Sequence, residues 1–246
     1  MRIRHILSTL LLALFLAISA PATDAASVLT METTPPHVLG GEKPSRSQYS
    51  VWIEENRLRE DRGDRSFIVD RRTNRMYVIR HAKKDYWAFD LPLDFESMVP
   101  EDLHAQWSLV LESRKTEVTV QPEFKAETMG GYATKRYEAE VKSLSGGSMN
   151  MSMWLSTELG FDAENYKELV LEIAKMQPGT DGWIRELFKI KGFPVRFERR
   201  FETEQGTATS AESLVSIERK EAPASTWLPA DGYSETEFNL LSAPIN

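Results

Sequence analysis

The sequence predicts an α+β protein: a large curved antiparallel sheet, wet on one face, with helices packed against the other. Three observations predict it: segments that alternate apolar and charged residues, turn signals between them, and two stretches with apolar residues three and four apart. "YATKRYEAEVKS" sets Lys135, Tyr137, Ala139 and Val141 against Arg136, Glu138, Glu140 and Lys142. "FPVRFERRF" sets Phe193, Val195, Phe197 and Phe201 against Arg196, Glu198 and Arg200. "QYSVWIE" does the same with Tyr49, Val51 and Ile53. Such alternation marks antiparallel strands with one solvated face. Further strands are expected at "RSFIVD", "NRMYVIRH", "DYWAFD", "TEVTVQ" and "SLVSIERK". Hairpin turns fit Gly63-Asp64, Thr73-Asn74, Gly146-Gly147 and Gln205-Gly206.

Helices are fewer. "DAENYKELVLEIAKM" carries Tyr166, Leu169, Val170, Ile173 and Met176 at helical spacing, with Asp162 as N-cap and Pro178-Gly179 as the stop. A short helix is expected over "DGWIRELFKI" (181–190), and a less regular helical region between Phe95 and Ser113. Tyr137, Val141, Val195 and Phe197 should join the Leu169/Ile173 helix face in one core. Phe197→Ala would then cost about 3–5 kcal/mol.

The chain opens with Arg2, Arg4 and His5, then a mostly apolar stretch from Ile6 to Ala20 and the small residues "AISAPATDAAS". This is the layout of a secretory signal peptide, and it falls short of the roughly 20 apolar residues of a spanning helix. Residues 1–26 are read as the signal, cleaved between 20 and 26, which makes the protein periplasmic or secreted and not membrane-spanning after signal removal. Residues 27–47, including "TMETTPPHVLGGEKPSRS", read as an extended, flexible lead-in, and 48–246 as a single domain. The chain contains no cysteine, so neither disulfides nor a lipidated amino-terminal cysteine are available to it. It is long enough to bury a core without them.

Losing Arg2 and Arg4 takes the formal net charge from −7 to −9. An acidic exported protein is a poor partner for nucleic acid. Arg57 to Lys84 runs the other way, with ten basic residues against four acidic ones. That run either decorates a solvated strand face or meets an acidic or anionic-lipid surface.

"GGSMNMSMWLS" places methionine at every second position: Met149, Met151 and Met153. On a strand, the outer two lie about 13–14 Å apart, so the three thioethers cannot converge on one soft metal ion, although thioether suits Cu(I). No metal and no cofactor is expected. The three should share one face, opposite Asn150, Ser152 and Trp154. They then either fill the core or line the wall of an apolar ligand cavity, a role that flexible, polarizable methionine suits.

Catalytic signatures are missing: there is no Gly-x-Ser-x-Gly, no His-Glu-x-x-His, no phosphate-cradling glycine loop and no cysteine nucleophile. Asp90 and Asp94 in "FDLPLD" lack the ligand pattern and glycine of a calcium loop. Tyr132 and Tyr233, each after a glycine, read as turn and closure aromatics.

"YVIRHAKKDYWAFD", "GGYATKRYEAE", "MWLSTELG", "GFPVRFERR" and "VSIERKEAPASTWLPADGY" follow one another in an order and spacing that resembles an exported bacterial family, domain of unknown function 4412, over Gln48 to Tyr233. That family looks like the LolA/LolB group. The resemblance implies an incomplete barrel with helices lidding a hydrophobic cavity, which in the wider group receives lipoprotein acyl chains. It implies shape rather than cargo, and no carrier residues transfer. The expected function is a non-enzymatic exported protein that binds an apolar ligand or a lipid-bearing partner: lipid, lipoprotein or another envelope component. The alternative is an envelope interaction or sensing protein with a filled core. Clustered polar residues in a cleft would instead indicate an enzyme.

Overall fold

The computed structural model describes residues 25–238 except 43, 145, 178 and 205, and gives only the backbone of 123–125. Residues 1–24 of the segment 1–26 read as the signal lie outside the described residues. Twelve strands form one sheet: β1 (Ala26–Val38), β2 (Ser47–Glu54), β3 (Arg57–Arg62), β4 (Arg65–Asp70), β5 (Arg75–Arg80), β6 (Asp85–Asp90), β7 (Thr116–Met129), β8 (Tyr132–Ser143), β9 (Ser148–Ser156), β10 (Phe193–Thr203), β11 (Gly206–Lys220) and β12 (Ser234–Glu235). Their order is β12-β6-β5-β4-β3-β2-β1-β11-β10-β9-β8-β7. All neighbours are antiparallel except β12 with β6. The first and last strands do not meet, so the sheet is open.

The hairpins follow their turn residues. Asn74 and Lys84 take positive φ at the β4–β5 and β5–β6 turns, as does Gly63 between β3 and β4. Three helices follow: α1 (His104–Ser113), α2 (Ala163–Ala174) and α3 (Thr180–Phe188). α1 ends the connection from β6 to β7, after two short 3-10 turns at Glu96–Met98 and Glu101–Leu103. Asp162 caps α2, accepting from the N–H groups of Glu164 and Asn165 at 3.0 Å each.

The helices occupy one face. α2 lies against β3 and β4, and α3 against β7. A flat sheet would hold β4 and β7 about 38 Å apart; the adjoining α2–α3 pair serves both because the sheet curls toward it. Two apolar clusters result, where the sequence pattern led us to expect one. Under α2, Leu29, Val51, Leu58, Val69, Met76, Phe89, Phe193 and Val195 pack with Leu169 and Ile173. Under α3, Ala139, Val141, Met151, Met153 and Leu155 pack with Leu187, Tyr137 and Phe197. Phe197 is only partly buried, because its neighbours toward the sheet centre are polar.

The lead-in expected over residues 27–47 is corrected. Residues 26–38 form β1 at the middle of the sheet, paired to β2 and β11. Ala26, Ser27, Val28 and Leu29 are all buried, so the strand begins covered on both faces and shows no alternation there. The far end is belted. Trp227 is buried beneath the Arg57 guanidinium, 4.4 Å from its ring centroid. β12 then rounds the β6 edge, and Phe238 stacks edge-on against Trp87 and Phe89 at 5.0 and 5.1 Å on the helix-covered face.

Candidate functional site

Met149, Met151 and Met153 share the helix-covered face, as the alternation requires. Their cross-strand partners are Phe201, Arg199 and Phe197 on β10 and Val141, Ala139 and Tyr137 on β8. Met151 and Met153 are 1% and 4% exposed, and Met149 is half-buried. All three pack in the α3 cluster with Leu187, Trp183 and Ile190. On the opposite face, Trp154 is buried with the Arg136 and Arg196 guanidinium groups 5.1 and 5.8 Å from its ring.

The methionine layer opens at one end. Beyond Met153, a groove of about 520 Å³ runs between the exit of α3 and the β7–β9 end of the sheet. Tyr137, Leu155 and Ile190 form its apolar lining, with Lys135, Lys191 and Glu158 among its polar residues. Tyr137 is the direct cross-strand partner of Met153, and Leu155 lies two residues along β9. The groove is therefore continuous with the packed methionine layer.

α3 closes that layer with modest anchorage. Leu187 is its one buried residue. Its carboxyl end is held by Lys167 of α2, whose buried Nζ donates to the carbonyls of Ile190 at 2.6 Å and Phe188 at 3.3 Å and pairs with Glu164 at 2.8 Å. A cation at a helix carboxyl terminus meets both the unpaired carbonyls and the negative end of the helix dipole.

Between the two apolar clusters lies a charged network that sequence reasoning missed. Tyr49 donates to Glu212 at 2.7 Å, and Arg62 and Arg199 donate to the same carboxylate at 3.2 and 2.7 Å. Arg62 also pairs with buried Glu60. Burial pushes the Glu60 carboxyl above its ordinary range, with Arg62 pulling the other way. Burial also raises Glu212, but Arg62, Arg199 and the Tyr49 hydroxyl together hold it below the ordinary range. Burial raises the Tyr49 and Tyr166 hydroxyls. The members come from β2, β3, β10, β11 and α2, so only the strand order assembles them. The signal that could have found two of them is the period-two spacing of Glu60 and Arg62 with Leu58, a polar break in an apolar face.

One arrangement has the residue types of a nucleophile site. Ser66 Oγ lies 2.7 Å from His81 Nε2, and His81 Nδ1 lies 3.0 Å from the Tyr233 hydroxyl. However, Ser66 donates its proton to Asp61, which leaves His81 Nε2 as donor rather than base. Ser66 is also 0% exposed. These residues tie the C-terminal belt to the sheet; they do not form an activated serine.

The basic run 57–84 is largely neutralised in place. Arg57, Arg59, Arg62, Arg71, Arg72, Arg75 and Arg80 each form an ion pair. Among the described residues no helix is long and apolar enough to cross a membrane.

No curated protein matches this chain. Among solved structures, PNGF-II in space groups C2 and P21 matches 88% and 86% of the chain at 10% and 9% identity, with TM-scores of 0.41 and 0.40; the chain spans 31% of the length of each. A domain assigned by inference to an outer membrane lipoprotein-sorting protein of Vibrio parahaemolyticus matches 81% of this chain and 87% of its own at 9% identity, with a TM-score of 0.28. The model of the family described as Domain of unknown function (DUF4412) matches residues 28–233, and the chain belongs to that family.

Proposed function

We propose that this protein is exported to the bacterial envelope, periplasmic or secreted, and binds there the apolar chain of an acidic amphiphile, a lipid or lipid-bearing partner. The observation that carries this reading is the groove beyond Met153. Its lining of Tyr137, Leu155 and Ile190 suits a hydrocarbon chain, and Lys135 and Lys191 suit an acidic head group. Met153 and Met151 would form the wall behind it. Unbranched thioethers re-pack around chains of different length in a way β-branched side chains cannot. Lifting α3, with its single buried residue, would extend the groove along the methionine layer. The role is binding, not catalysis.

A second reading is favoured by a different observation. Met151 and Met153 are buried core residues, which fits an envelope interaction or sensing protein with a filled interior. A long-chain fluorescent fatty acid separates the two. Saturable binding by the mature protein, lost in Ile190→Glu and weakened several-fold in Lys191→Glu at unchanged melting temperature, supports the amphiphile site. A wild type that melts cooperatively yet does not bind the probe supports the filled-core reading.

A further inference from the structure

The helix-free face of the sheet carries a second groove, of about 500 Å³, across β8, β9, β10, β11 and β1. Its shape follows from the register. One cross-strand row reads Arg136, Trp154, Arg196. The next reads Glu138, Ser152, Glu198, Ala211, Thr34, and the third Asn150, Arg200, Thr209, His37. Ser152, Ala211 and Thr34 are short, so the middle of the face is sunken between rows of long side chains. The loop after β1 walls one side, placing Leu39, Pro44 and Arg46 along it; its Leu39 N–H donates to the Thr207 carbonyl at 2.8 Å.

Most charges in this groove already have partners. Arg136 pairs with Glu138 at 2.5 Å, Arg196 Nε with Glu198 at 2.7 Å, and Arg46 with Glu32 at 2.8 Å. Arg200 is the exception. It is exposed and has no ion-pair partner among the described residues. It stands directly between Asn150 and Thr209, and His37 is the next residue in that row. A guanidinium fork flanked by an amide and a hydroxyl is a donor set for an oxyanion. The sunken floor beside it, edged by fixed carboxylates and guanidinium groups, offers hydrogen bonds to a polyol or sugar body.

We propose that this groove is a separate site for a phosphate-bearing polyol or sugar, with Arg200 as the group that pairs with the phosphate. It faces away from α3 and does not depend on the amphiphile groove. The shared chemistry is a phosphate ester, either free in solution or on a lipid head group.

The test is titration of the mature protein with glycerol 3-phosphate, followed by amide chemical shifts, with glycerol as the uncharged control. Saturable shifts confined to β9–β11 and the loop after β1 are expected. Arg200→Gln should weaken them about tenfold or more without changing the melting temperature, since Arg200 has no ion pair among the described residues to lose. Added sodium chloride should weaken them as well. Vesicles of phosphatidylglycerol and of phosphatidylcholine identify the source: Arg200-dependent retention on the former alone marks a lipid head group, and glycerol 3-phosphate binding without retention marks a free phosphate ester. No saturable binding of either probe, or binding that Arg200→Gln leaves unchanged, overturns the proposal.

Discussion

Replacing Lys167 with methionine tests whether α3 is held down by a single cation. Methionine keeps most of the stem volume, so the change removes the ammonium rather than opening a cavity. The Nζ makes a 2.6 Å bond to Ile190 O, a 3.3 Å bond to Phe188 O and an ion pair with the exposed Glu164. Hydrogen bonds to charged groups contribute about 1.5–3 kcal/mol each, and a buried acceptor left without a donor costs about 1–3 kcal/mol. The 3.3 Å bond is long and the exposed pair is worth little, while burying an ammonium itself offsets part of the gain. A net loss of about 2–3 kcal/mol is expected, measured by denaturant unfolding. The loss should be local: amide exchange should accelerate across 180–190 far more than across α2 or β9. Fatty-acid probe binding should also become faster if α3 covers the methionine layer. A loss below about 0.5 kcal/mol, or exchange that rises equally everywhere, would refute the claim that Lys167 anchors α3.

Three further outcomes follow from the packing. Phe193 is 1% exposed and stacks edge-on with Phe161 and Tyr166 at 5.3 and 5.0 Å; Phe193→Ala should cost about 3–5 kcal/mol, and half-buried Phe197→Ala clearly less, reversing the weight the alternation alone assigns to Phe197. Gly179 sits at φ +80, where an added Cβ would lie 2.7 Å from the Arg114 Cβ; Gly179→Ala should cost more than about 1 kcal/mol and loosen α3 in the same exchange experiment. Glu60 is raised in the fold, so its contribution to stability is present below its ordinary value of 4.5 and declines as pH climbs from there through the raised value. Glu212 is lowered, so its contribution is present above its ordinary value of 4.5 and is lost as pH falls from there through the lowered value. Glu60→Gln should therefore flatten the decline above pH 4.5 in a stability-against-pH series and leave the acid limb in place; an unchanged decline would mean that other groups set it.

The sequence makes some of this structure readable and hides the rest for physical reasons. α2 is readable because its information is local: Asp162 bonds its own first turn, and the apolar spacing from Tyr166 to Met176 needs no partner to be seen. β2, β4 and β5 are readable for the same reason, with turn residues at Gly63 and Asn74, whereas β3 is missed because five of its six residues are charged and mask its alternation. β1 is hidden because a strand buried on both faces at its start loses the alternation that announces it, and Pro35-Pro36 then mimics a linker. Phe197 shows the limit of alternation. The pattern assigns its face correctly, but its depth depends on Arg199 and Glu212, which come from the same strand and its neighbour. The charged run at 57–84 looks like a patch in one dimension and is mostly internal ion pairs in three. The Arg200 groove is the converse case, since its residues span positions 34 to 211 and meet only through the pairing of β1 with β11.

The central claim, that the groove beyond Met153 takes the chain of an acidic amphiphile, is tested most directly by mass spectrometry of organic extracts from protein isolated under native conditions from the bacterial cell that makes it. The account predicts an acyl-bearing species co-purifying in near-stoichiometric amount with the wild type and missing from Ile190→Glu prepared in parallel. Extracts free of any such species from wild-type protein, or the same species at the same level from both proteins, would contradict it.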